Sequence, residues 1–213
     1  MSKRRGPVTV AVTGPFASGK STFTRMLGEA GAETVSSDEL VHDLYRKDPQ
    51  TARRVAERFG DVLDAEGKVD RLKLRGEVFG DPEALRDLEG ILHPLVREET
   101  DRRVSGSEAE VFVAEIPLLF ETGRESDFDL TVTVLPSESR RREWAAGRGV
   151  DAATLRGIEA RQLSPREKAR RADVVVENDG TLEHLRKRAV ELMERLRRER
   201  SLAGDGDEER RHT

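Results

Sequence analysis

The sequence predicts a three-layer α/β fold: a five-stranded parallel sheet covered by helices, carrying a helical insert and a small lid. Three observations predict it. Short β-rich runs at 8–13, 33–36, 110–115, 129–135 and 173–177 alternate with helical stretches. Between the first run and the next helix, the segment Gly14-Pro15-Phe16-Ala17-Ser18-Gly19-Lys20-Ser21 fits G-x-x-x-x-G-K-[ST] at every fixed position. The spacing of the runs is also uneven, because about seventy residues part the second from the third, more than one crossover helix needs.

The first run, Val-Thr-Val-Ala-Val-Thr, is β-branched at every position but Ala11 and reads as a strand, and 21–29 reads as a helix. Glycines in the intervening loop let backbone N–H groups approach phosphate oxygens, and the helix adds unpaired N–H groups and the positive end of its dipole. Lys20 is expected at the β/γ-phosphates of a nucleotide, and the Ser21 hydroxyl on Mg²⁺. Helical composition at 38–46, 50–59, 72–78 and 83–103, punctuated by Gly60, Gly67, Gly80 and Pro82, makes the long interval a helical substrate-binding insert. A second insertion, between Leu135 and Asp173, carries Arg140, Arg141, Arg142, Arg148, Arg156 and Arg161, with Gly147 and Gly149 as hinges. It is either a solvated helical face or a mobile lid that brings arginines onto transferring phosphates. The last helix, 181–198, shows a stripe of Leu182, Leu185, Ala189, Met193 and Leu196 that packs on the core. The expected organisation is a nucleotide-binding core of 1–37, 108–135 and 172–200, an insert of 38–107, a lid of 136–171 and a disordered polar tail of 201–213.

Composition narrows the function. A net charge of −4 with 38% charged residues argues against a nucleic-acid binder, and 4% aromatic content leaves little for base stacking. No cysteine is present, which excludes disulfides and thiolate metal sites, and the four histidines lack metal-ligand spacing. No apolar run is long enough to span a membrane. The expectation is a cytoplasmic protein without membrane or nucleic-acid partners, a monomer or weak homo-oligomer. A GTPase would show a guanine-reading Asn-Lys-x-Asp, which is missing, and no G-x-S-x-G supports acyl transfer. A small kinase is the favoured class. Asp38 follows the second run at the sheet edge where the loop opens, where it can accept the proton of an acceptor hydroxyl. It would equally serve as N-cap of the helix that follows. Glu115 closes the third run, either as the acidic residue that orients Mg²⁺ or as a strand-end partner of an arginine.

The chain resembles the dephospho-coenzyme A kinase family from about Val8 to about Arg188. Thr13 to Thr22 is similar to the family's T-G-x-x-x-S-G-K-S-T, and Val35 to His42 to its I-D-A-D-x-[IL]-x-[RH]. Phe59-Gly60 with Asp70-Arg71, Leu74 and Val78-Phe79, then Ile91-Leu92-His93-Pro94, then Pro117-Leu118-Leu119-Phe120-Glu121, follow the family's order. So do Gln162, Lys168, Ala172-Asp173 and Asn178-Asp179-Gly180. The resemblance implies a P-loop kinase core and ATP- and Mg²⁺-dependent phosphorylation of the ribose 3′-hydroxyl of dephospho-CoA. It implies Asp38, Lys20 and Arg148 as catalytic residues, and Gly14 to Thr22 with Asn178 and Gly180 as the ATP site. Asp38, His42, Phe79, His93, Pro117, Leu118 and Leu119 would border dephospho-CoA, and Ser21 and Glu115 the metal. The chain departs from the family pattern at Ser36, at Glu115 and at Ile158, four residues before Gln162. Two other outcomes therefore stand beside this one: a related kinase with another acceptor, and a nucleotide- or CoA-binding paralogue of impaired catalysis.

Overall fold

The structure, a computed structural model, describes residues 6–209, with side chains through Leu202. It divides into two compact units, one of them Ser36–Ser105 and the other formed by the chain on either side of it. The insert expected at 38–107 thus starts and stops two residues earlier, and the lid segment belongs to the first unit instead of standing apart.

The first unit is built on a five-stranded parallel sheet in the order β2-β3-β1-β4-β5. The strands are β1 (Val8–Thr13), β2 (Glu33–Ser36), β3 (Val111–Glu115), β4 (Leu130–Leu135) and β5 (Val174–Glu177). The apolar runs of the three central strands, β3, β1 and β4, are largely buried because helices cover both faces of a parallel sheet, whereas the edge strands are partly exposed. Val10, Val12, Val111, Val113, Val132 and Val134 are each 0% exposed. Carboxylates pin the register. Asp129 accepts from the N–H and hydroxyl of Thr9, and Asp173 accepts from the same two groups of Thr131.

Two helices complete the core on this sheet: α1 (Lys20–Glu29), through Phe23, Met26 and Leu27, and the last helix, α9 (Leu182–Glu209). Leu185, Ala189, Met193 and Leu196 of α9 are buried as the stripe predicts, each large side chain contributing about 1.5–3 kcal/mol. Leu182 is not; it is 67% exposed, since it opens the helix beside a cavity. α9 also runs past Arg198 to Glu209, so the tail expected from residue 201 begins as helix. Propagation fixes one residue per hydrogen bond gained, which lets a formed helix carry a polar, glycine-containing stretch. Residues 210–213 lie outside those described.

The second unit is helical: α2 (Ser37–Lys47), α3 (Pro49–Phe59), α4 (Arg71–Val78) and α5 (Pro82–Gly106). Aspartates start three of these helices. Asp48 accepts from the N–H groups of Gln50 and Thr51, Asp70 from those of Leu72 and Lys73, and Asp81 from those of Glu83 and Ala84. Tyr45, Val55, Phe59, Val62, Leu88 and Leu92 form its own core. Burial there pushes the Tyr45 phenol up to about 12.

Three short helices, α6 (Glu138–Gly147), α7 (Ala152–Glu159) and α8 (Pro165–Arg171), fill the segment expected to be the lid. Among the described residues, no helix is long and apolar enough to cross a membrane.

Candidate functional site

The site forms where β1, the central strand, ends. β1 leads through α1 to β2 on one side, and β3 is followed by β4 on the other, so the loop after β1 lies at the reversal of strand order where open α/β sheets bind ligands. The loop is tightly constrained. Gly14 has φ 148°, and a Cβ there would come within 2.5 Å of the Val134 carbonyl oxygen. Gly19 has φ 89°, and a Cβ there would lie 2.3 Å from Asn178 Nδ2. Ala17, at φ 58°, is the only non-glycine with positive φ among the described residues. Left-handed backbone at such a residue persists only where its surroundings enforce it, as at ligand sites.

α1 has no side-chain cap, so its first N–H groups stay available to an anion. Lys20 is 8% exposed and donates to the Pro15 carbonyl at 2.9 Å. The Ser18 hydroxyl is buried with no hydrogen-bond partner among the described residues. A loop holding an inward lysine, an orphaned hydroxyl and uncapped N–H groups fits a phosphate chain.

The Ser21 hydroxyl donates to Glu115 Oε1 at 2.8 Å. Glu115 stands there because parallel pairing sets it opposite Val12, two residues before the loop. Hydroxyl and carboxylate oxygens side by side are the donor set Mg²⁺ prefers. Among the described residues, no cluster of three or more His, Cys, Asp or Glu could hold a metal ion.

Beside the loop lies a cavity of about 730 Å³, lined by Gly19, Thr22, Arg140, Trp144, Arg148, Asn178, Gly180 and Leu182 among others. Asn178 follows β5, its N–H bonded to the Leu135 carbonyl, and its Nδ2 donates to Ser18 O at 2.9 Å. Arg140 donates to the Gly180 carbonyl at 2.7 Å, and its guanidinium lies 5.6 Å from the Trp144 ring. This indole and guanidinium wall suits a planar base. Sequence reasoning counted Arg140 only among the lid arginines and gave Trp144 no role, because an arginine-rich helix reads as surface or lid and not as the wall of a base site.

The lid arginines divide. Arg148 lies 5.9 Å over the Phe16 ring of the loop and lines the cavity. Arg141 is buried and paired with Glu159 at 2.5 Å. Arg156 and Arg161 are exposed. Gln162 reaches the loop itself, its Oε1 accepting from Phe16 N–H at 3.1 Å.

Of the residues expected to border the acceptor, Pro117 and Leu118 are partly exposed in the first unit, whereas Leu119 is 0% exposed and has no surface to offer a ligand. The others belong to the second unit. Asp38 is the exposed second residue of α2, whose N-cap position is taken by Ser36; Asp38 therefore does not cap the helix. His42 lies one turn further along the same face, with Nε2 3.5 Å from Arg46 Nη1. Phe79, at the end of α4, is 78% exposed with Arg75 at 5.9 Å from its ring. His93 is exposed on α5, next to Pro94 inside the helix.

This fold and this loop define a P-loop kinase. A solved structure from Thermus thermophilus is similar, with a TM-score of 0.75 and 33% identity, covering 88% of this chain and 96% of that one. The dephospho-CoA kinase from Campylobacter jejuni shares the fold at a TM-score of 0.60 and 22% identity, over 88% and 96% of the two chains. In sequence, the dephospho-CoA kinase of Brucella melitensis is 36% identical over 190 residues, 87% of this chain and 94% of that protein. The model of the dephospho-CoA kinase family matches residues 8–184, and the chain belongs to that family.

Proposed function

We propose that this chain catalyses ATP-dependent phosphorylation of the ribose 3′-hydroxyl of dephospho-CoA, the last step of coenzyme A synthesis, with its own residues in the following roles. The loop Gly14–Thr22 holds the triphosphate, with Lys20 on the β/γ-phosphates. Arg140, Trp144, Asn178 and Gly180 border the adenine. Asp38 accepts the proton of the 3′-hydroxyl as that oxygen bonds to the γ-phosphorus and the bond to the β–γ bridging oxygen breaks, releasing ADP. Arg148 neutralises charge on the transferring group. His42, Phe79, His93, Pro117 and Leu118 bind the rest of dephospho-CoA. Ser21 and Glu115 would hold Mg²⁺, directly or through its waters, and the ion would offset negative charge across the phosphates. The protein would work in the cytoplasm as a monomer or weak homo-oligomer, without nucleic acid or membrane.

The observation that carries this reading is the Ser21–Glu115 contact beside a loop with an inward Lys20 and an uncapped α1. Support for Asp38 comes from the topology. It follows the carboxyl end of a strand of the same parallel sheet, and Ser36 occupies the capping position that would otherwise explain it. Incubation with ATP, Mg²⁺ and dephospho-CoA should give ADP and a product heavier by one 3′-phosphoryl group, identified by mass and fragmentation. Asp38→Asn should lower kcat by about 10²–10⁴-fold and leave ATP affinity unchanged. Normal turnover in that variant would remove Asp38 from its role.

A further inference from the structure

Lys168, on α8, is 0% exposed, a rare state for lysine, and no step above uses it. Its ammonium donates to the Pro117 carbonyl at 2.9 Å and to Glu121 Oε2 at 3.1 Å, with Glu121 Oε1 at 2.8 Å. Burial lowers its pKa, and Glu121 opposes that shift. Both acceptors lie in one loop, the segment that continues from Glu115. That loop is tied in turn to its neighbours. Pro117 O also accepts from the hydroxyl of Thr13, the residue before Gly14, at 3.2 Å, and Glu121 Oε1 accepts from Leu163 N–H at 2.7 Å. One residue earlier, Gln162 holds Phe16 N–H.

The segment 162–168 therefore grips two different loops: the phosphate-binding loop through Gln162, and the Pro117–Glu121 loop through Leu163 and Lys168. We propose that Lys168 is a positioning residue that fixes Pro117 and Leu118 for the acceptor, while Gln162 fixes the phosphate-binding loop for ATP. A buried ammonium bonded to a carbonyl and a carboxylate sets the loop's position more sharply than apolar packing could, because each donor direction needs its own acceptor. A structural ion pair alone would act on stability; a positioning pair acts on one substrate. The inference rests on the reading in which Pro117 and Leu118 border dephospho-CoA.

The test is steady-state kinetics on the full chain with each substrate varied in turn, beside thermal melts. Lys168→Met should raise KM for dephospho-CoA by about tenfold or more, with KM for ATP within about threefold of wild type. Gln162→Ala should show the reverse preference. Should Lys168→Met fail to fold, Glu121→Gln keeps an acceptor for Leu163 N–H while removing the charge, and should shift the acceptor KM in the same direction. Leu118→Ala separates the inference from its basis. A raised acceptor KM in Leu118→Ala, with only a lower melting temperature in Lys168→Met or Glu121→Gln, would overturn the positioning role alone. An unchanged acceptor KM in all of them would overturn the placement of the acceptor as well.

Discussion

The phosphate-binding loop and the arginine-bearing helices after β4 lie side by side in one unit, yet they are built on opposite terms. The loop works through its backbone. Gly14 and Gly19 are required by φ and by clashes of 2.5 Å and 2.3 Å, and α1 presents bare N–H groups. The lid works through side-chain charge, and most of that charge is engaged elsewhere. Arg141 is buried against Glu159, Arg142 pairs with Glu138, and Arg140 is spent on a carbonyl and an indole. Only Arg148 combines exposure, the cavity and contact with the loop. Function encoded in backbone geometry leaves a glycine signature, whereas function encoded in arginine looks the same as an ordinary helix surface.

The largest expected effect probes the loop. Lys20→Ala should lower kcat/KM by about a thousandfold, by removing the cation from the phosphates. In the lid, Arg148→Ala should lower kcat by about a hundredfold, against less than about twofold for the exposed Arg156→Ala. Equal losses in these two would mean that the lid acts as a diffuse positive surface and not through one residue. Gly19→Ala places an L side chain at φ 89° against Asn178, and the backbone term alone is about 1–2 kcal/mol. ATP affinity measured by calorimetry should fall by about tenfold, more than it does for Gly149→Ala, whose Cβ would meet open space.

The smallest effect lies in the second unit and serves as a control outside the comparison. The hydrogen bond from Arg102 holds the Glu99 carboxyl at about 2, below its ordinary 4.5. The ionised, bonded form is favoured in the folded state. Its stabilisation is therefore complete above about 4.5 and is lost as pH falls toward about 2. Melting temperatures across that window should drop more steeply for the wild type than for Glu99→Gln; parallel curves would show that the pair adds nothing.

Much of this was legible in the sequence. The strand runs were, because β-branched residues cluster in the buried central strands of a doubly covered sheet, and β1 and β2 both fall at the expected residues, although edge strand β2 is polar and largely exposed. Gly14, Gly19, Lys20 and Ser21 were legible for the same local reason. Glu115 could be expected at a strand end, but its contact with Ser21 depends on the register of β3 on β1. Asn178 reaches Ser18 across 160 residues of chain, a pairing no local pattern announces. Lys168 matched the family's spacing without any hint of its burial, since a lysine in a charged helix reads as surface. Leu182 read as core because periodicity cannot tell a helix's packed stripe from its open first turn.

The account stands most directly on a division between donor and acceptor chemistry in the wild type, Lys20→Ala and Asp38→Asn. ATP binding by calorimetry and turnover of dephospho-CoA should be measured on the same three preparations. Lys20→Ala should lose affinity and turnover together, and Asp38→Asn should lose turnover alone. Retained ATP affinity and turnover in Lys20→Ala, or normal turnover in Asp38→Asn, would contradict it.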